Sequence, residues 1–254
     1  MNIYDISVFI VGLAFFCEYI DSSLGMGYGT TLTPLLLLMG YNPLQVVPAV
    51  LLSELISGLS AAFFHHRLKN VNFSLGNSDS KIALILAGCS IFGTIAAVYT
   101  ALTVPVFYVK LYIGTLVFCM GALILITLNR NYPFSLRKIA PLGLLAAFNK
   151  GISGGGYGPL VTSGQILTGV KSKNAVGITS LAEGLTCLVG VSVYLIFTDH
   201  IIEWNLAPSL VLGAALSVPF ASLTVKKFKE GRLRLLVGAA TLMLGLFTLG
   251  KLFF

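Results

Sequence analysis

Apolar residues run in blocks along most of the chain, and the ~20 residues needed to cross a bilayer core sort those blocks into two kinds. Blocks at about 45–66, 81–100, 106–129, 174–198, 206–225 and 232–253 suffice for single transmembrane helices. Residues 6–40 and 139–168 differ: each holds two apolar pieces, some of only ten or eleven residues, separated by a glycine-rich break. Ten residues of helix reach just ~15 Å, so these pieces read as half-helices folded back into a hairpin.

The broken regions are copies of one another. Gly25 to Gly40 returns, shifted by 129 residues, at Gly154 to Gly169. Gly27-Tyr28-Gly29 matches Gly156-Tyr157-Gly158, Thr33 falls on Thr162, and Glu54 falls on Glu183 inside the following apolar helix. A duplicated, broken hydrophobic segment with a paired intramembrane acid is the pattern of a carrier built from two repeats. Residues 1–130 form the first and 131–254 the second, and together they make one transport domain.

Charge orients the blocks. Thirteen of the sixteen Lys and Arg residues lie in four connections: Arg67, Lys69 and Lys81; Arg130, Arg137 and Lys138; Lys171 and Lys173; and Lys226 to Arg234. These should face the cytoplasm, whereas the connection with Asp199, Glu203 and Trp204, and the uncharged one near 101–105, should face outward. Both flanks of residues 139–168 are then cytoplasmic, so that region must enter and return. Residues 6–40 form the matching hairpin from outside, and both termini are expected on the outer side. A hairpin plus three spans per repeat turns the second repeat upside down. Broken backbone is tolerated in a bilayer only where protein or a water-filled cavity covers it, so the two breaks should face each other inside.

Composition agrees: 56% of residues are hydrophobic and 10% charged, against ~25% charged in globular domains. The expected location is the cytoplasmic membrane, with several passes and no cleaved signal, since no basic residue precedes the first apolar run. Cys17, Cys89, Cys119 and Cys187 lie in apolar stretches without metal or disulfide spacing and read as packing residues. The excess positive charge is accounted for by topology and anionic lipid, leaving no need for nucleic acid. No cofactor or metal is expected.

The candidate chemistry sits at the breaks. The second half-helices are expected to start at Thr30, after Gly29, and at Pro159, after Gly158. Helix N-termini carry unpaired N–H groups and partial positive charge, so two converging ends would make an anion site of Gly27, Tyr28, Gly29, Thr30, Gly156, Tyr157 and Gly158, with Ser153 as a further donor. Close helix packing is the structural alternative for the glycines. Glu54 and Glu183 each lie about nine residues into a helix, roughly 13 Å deep. An ionised acid there costs at least ~2.5–3.5 kcal/mol, which points to use in proton coupling, the structural alternative being a protonated acid bonded to a neighbouring helix for packing. Ser57 and Thr186 follow on the same faces. Glu18 and Asp21, three apart on one face, form a proton route or line a wetted vestibule. Lys150 precedes the second break, and its repeat-related position holds Asp21. It either contacts an anionic substrate or pairs with Asp21. His65-His66-Arg67 reads as a helix C-terminal cap, and Asn72-Phe73-Ser74 as a chance glycosylation match.

The stretches GMGYGTTLTPLLLLMG and SGGGYGPLVTSGQILTG, each followed by an apolar helix with its acid, resemble the sulfite exporter TauE/SafE family, also called the toluene sulfonate uptake permease family. The resemblance covers essentially the whole chain. It implies an all-α polytopic secondary carrier for a small sulfur-containing anion, of the sulfite, sulfonate or sulfoacetate type. Met26 and Tyr28 stand where the family commonly has small residues, which would narrow the first half of the site. The expected partners are that anion, protons and membrane lipid, with a homo-oligomer left open. A cation or carboxylate carrier of the same fold and an anion channel are the competing readings. An enzyme would need a nucleophile with its base or a metal cluster, and three histidines, two of them adjacent, do not supply one.

Overall fold

The computed structural model describes residues 7–41, 43–101, 106–128, 133–153, 156–197 and 203–253. Among them there are ten α-helices and no strand: α1 (Val8–Leu24), α2 (Tyr28–Leu38), α3 (Pro43–Arg67), α4 (Ser78–Ala101), α5 (Val106–Ile126), α6 (Ile139–Ser153), α7 (Tyr157–Leu167), α8 (Ser172–Phe197), α9 (Ala207–Lys227) and α10 (Glu230–Phe253). A 3₁₀ turn over Leu136–Lys138 leads into α6. Each expected block is a helix and each expected break is a break.

Four helices are long and apolar enough to cross a membrane by themselves among the described residues: Gln45–Arg67, Ser172–Ile196, Ala207–Lys227 and Gly231–Lys251. The 11-residue α2 and α7 are not. At 1.5 Å per residue they reach about 17 Å, so each must end inside the protein.

Local chemistry sets the breaks. Helix α1 starts at Ser7, whose side chain accepts from Ile10 N, and stops at Gly25, in the left-handed region with φ 73° and its N–H on Asp21 O. Gly27, at φ 127°, then turns the chain into α2. Gly156, at φ 79°, does the same before α7. An L side chain is strained at those angles. The helices therefore begin at Tyr28 and Tyr157, two residues earlier than expected, and Pro159 sits third rather than first. The first four N–H groups of a helix lack an internal partner, so proline fits at that position equally well.

Gly29 and Gly158 thus lie inside helices. A Cβ on Gly158 would run into Gly25 O and Met26 Cα, so α7 lies directly on the backbone of the first break. Thr162 ties the two together by donating from Oγ1 to Gly25 O at 2.7 Å. The breaks meet, as the bilayer argument required.

The most extensive helix contacts are α5 with α10, α4 with α6, α1 with α9 and α3 with α8. Replacing α1–α5 by α6–α10 in order leaves this set of pairs unchanged. The first arm of each hairpin packs against the other half. Gly58 and Gly184 let α3 and α8 touch backbone to backbone. One apolar core joins α6 and α7 to α4, α8 and α10, and a second joins α1 and α2 to α3 and α9. Phe16, Phe63, Phe92, Phe220 and Met243 are exposed on the outside, where lipid would cover them.

Candidate functional site

Lys150, near the end of α6, is buried and points its ammonium between α3 and α8. Nζ lies 2.6 Å from Glu54 Oε2 and 2.7 Å from Glu183 Oε1. The two glutamates at matching repeat positions therefore share one lysine. Lys150 does not take Asp21 as its ion-pair partner, because the contact of α3 with α8 places both glutamates within its reach. The second oxygens, Glu54 Oε1 and Glu183 Oε2, are buried without a hydrogen-bond partner. Cys187 Sγ donates to Glu54 Oε2 at 3.5 Å.

Glu18 and Asp21 enter the same chamber from α1. Ser22 Oγ donates to Glu18 Oε1 at 2.6 Å, one helical turn on. Asp21 Oδ1 accepts from Tyr28 N at 3.2 Å, placing a carboxylate on the N-terminus of α2. That helix end, expected to hold a substrate anion, holds a carboxyl group of the protein itself. Carboxylates are favoured there because the exposed N–H groups and the helix dipole point at them.

Glu18, Asp21, Glu54, Ser57, Ser180 and Glu183 line a cavity of about 10 Å³. That is room for roughly one water molecule. Four carboxyls and one ammonium would leave three negative charges if all were ionised. Unneutralised charge in a dry interior costs several kcal/mol per ion, so protons or a cation must make up part of the difference.

Of the remaining predicted residues, Tyr28 and Tyr157 are fully buried. The Tyr28 hydroxyl is 2.7 Å from Ser53 Oγ, and that of Tyr157 faces Thr186. Thr30 Oγ1 donates to Gly27 O at 3.2 Å and so closes the break on itself. Gly156 is buried, and Gly158 lies against the first break, which favours the packing role for Gly158. Gly154 and Gly155 lie outside the described residues, as does the side chain of Ser153. All four cysteines are free; Cys17 and Cys187 are buried, whereas Cys119 is exposed on α5 rather than packed.

Some residues of the site carried no sequence signal. Ser53 is matched in the second copy by Ala182, and Cys187 by Gly58 in the first. His65 is fully buried and hydrogen-bonded at both ring nitrogens, so it does not act as a helix cap.

The model of the family described as "Sulfite exporter TauE/SafE" matches residues 10–248. The probable membrane transporter protein YtnM of Bacillus subtilis (strain 168) is 28% identical over 246 residues, covering 91% of this chain and 79% of that protein. With its all-helical frame, its helices long enough to cross a membrane, and a family match that takes in both breaks and all the charged residues around them, the chain belongs to the sulfite exporter TauE/SafE family of membrane transporters.

Proposed function

We propose that this protein is a secondary active carrier of a small sulfur-containing anion, working by alternating access between two inverted repeats and coupled to protons. The observation that carries this reading is the Lys150 ammonium held between Glu54 and Glu183, one glutamate from each half, beside the meeting point of the two breaks. The Lys150 ammonium spends two of its three hydrogens on these carboxylates and the chamber has room for about one water, so an anion that comes to Lys150 takes the place of a carboxylate. Charge stays balanced if the displaced carboxylate takes up a proton, so one proton accompanies each negative charge of the substrate. Glu18 and Asp21 share the chamber and extend the proton path. The preserved set of helix pairs supports two equivalent halves, and three spans after each hairpin, as the charge pattern reads them, would turn one half upside down relative to the other.

The competing reading is a cation carrier, favoured by four carboxyls against one ammonium. Thermal unfolding of purified protein with sulfite, thiosulfate, sulfate, sulfonates, carboxylates and monovalent cations separates the two. A ligand at 100-fold its Kd adds about 2.7 kcal/mol of stability. Stabilisation by a sulfur oxyanion, lost in Lys150→Met, is expected. Stabilisation by a cation alone would replace this reading with the competing one.

A further inference from the structure

A line of hydrogen-bonded residues leads out of the carboxyl chamber at the α3 end and stops at a second, larger cavity. Helix α3 closes with Lys69 in the left-handed region, φ 62°, a conformation uncommon for residues other than glycine. Asn70 N is thereby carried back onto His65 O at 2.9 Å, as in a Schellman closure. This places the Asn70 side chain, itself buried, beside the His65 ring.

The ring's roles follow from its partners. His65 Nε2 is 3.0 Å from Ser22 O, which can only accept, so Nε2 carries the hydrogen. Nδ1 then accepts from Asn70 Nδ2 at 3.0 Å. The other hydrogen of that amide goes to Ser222 O at 2.9 Å. Three helices, α1, α3 and α9, are tied by two side chains. On the inner side Ser22 Oγ bonds Glu18 of the chamber. On the outer side Asn70 lines a cavity of about 520 Å³ with His66, Arg67, Lys69, Asn72 and Asn174. The nearby Asp79 carboxylate already accepts from Asn72 N and Asn174 Nδ2, so two of its neighbours in the cavity wall temper its charge.

We infer that this cavity is an anion-collecting mouth of the transport route and that the His65–Asn70 tie is the gate between it and the carboxyl chamber. The inference rests on the carrier reading above for its purpose, but its geometry is independent of which ion moves. Arg67 and Lys69 raise the local concentration of small anions, as charged clefts do. The tie keeps the chamber shut from that side. Opening means breaking the bonds to Ser22 O and Ser222 O, which unties α1 and α9 from α3 at this end while their shared apolar core stays in place.

Thiol labelling tests both parts without any substrate. In a background with Cys17, Cys89, Cys119 and Cys187 replaced by alanine, a single cysteine at Ser180 reports on the chamber and one at Asn72 on the mouth. Asn70→Ala and His65→Ala should each speed labelling of Ser180→Cys about tenfold from the face bearing the mouth, as loss of one or two neutral hydrogen bonds allows. The opposite face should show no rise. His65→Gln, whose amide can still donate to Ser22 O, should stay near the parent rate and guards against reading general unfolding as opening. At Asn72→Cys an anionic thiosulfonate should outpace a cationic one, and Arg67→Gln with Lys69→Gln should abolish that preference. Unchanged Ser180→Cys labelling in folded Asn70→Ala and His65→Ala, or an equal rise from both faces, overturns the gate. Absence of charge preference overturns the mouth. Failure of the sulfur-anion reading would appear instead in the ligand screen, with these labelling results intact.

Discussion

Removal of the Lys150 charge probes the centre of the molecule. Lys150→Met keeps most of the side-chain length and removes the ammonium, leaving Glu54 and Glu183 facing each other in a buried site from which their shared cation has gone. Breaking a buried ion pair by removing one partner costs about 3–5 kcal/mol, because the stranded charge stays desolvated. Total stability is commonly about 5–15 kcal/mol, so the variant should lose a large fraction of it. Glu54→Gln or Glu183→Gln added to Lys150→Met should recover part of the loss, and both together most of it, since removing every member of a buried network is far less harmful than stranding one. Asp21→Leu should not rescue Lys150→Met. The assay is thermal unfolding in detergent at fixed protein and lipid content, with a size-exclusion profile to confirm folding. A Lys150→Met protein as stable as the parent, or one rescued by Asp21→Leu and not by the glutamine pair, would refute the ion-pair argument.

Glu54→Gln and Glu183→Gln should each leave a folded protein whose gradient-driven transport falls more than its substrate binding, measured by uptake into vesicles against equilibrium binding. Unchanged pH dependence of transport in both variants would assign the glutamates to packing. Single cysteines at Asn77, Asn131, Lys171 and Lys229 should react from the cytoplasm, and those at Thr103 and Asp199 from outside; opposite sides for Asn131 and Lys171 would rule out the hairpin over 139–168, and Lys171 is chosen because it is exposed whereas Ser172 beside it is buried. Gly158→Ala should lower stability by about 1–3 kcal/mol, the usual cost of overpacking, because the new methyl meets Gly25 O and Met26 Cα; a neutral effect on thermal unfolding would show that the breaks do not meet there.

The helices were legible in the sequence because a bilayer is a ruler: apolar lengths measured against ~30 Å separate α3, α8, α9 and α10 from the short arms α2 and α7 without any knowledge of packing. The contact between breaks was legible for a related reason, since unpaired backbone cannot face lipid and must find protein. The repeat offset marked Glu54 and Glu183 as a pair.

Which cation that pair holds was decided only in three dimensions. Repeat symmetry set Lys150 opposite Asp21, but partners 96 and 33 residues away depend on the rotation of α6 about its axis and on how closely α3 approaches α8. That approach is set by Gly58 and Gly184, which lie outside the duplicated stretch. His65 shows the same limit: at the end of an apolar run a histidine looks like a solvated cap, and only the return of the chain at Lys69 encloses it between Ser22 and Asn70. Hydrophobic length and charge act along the chain and can be read there, whereas directional bonds between side chains exist only after helices have crossed at particular angles.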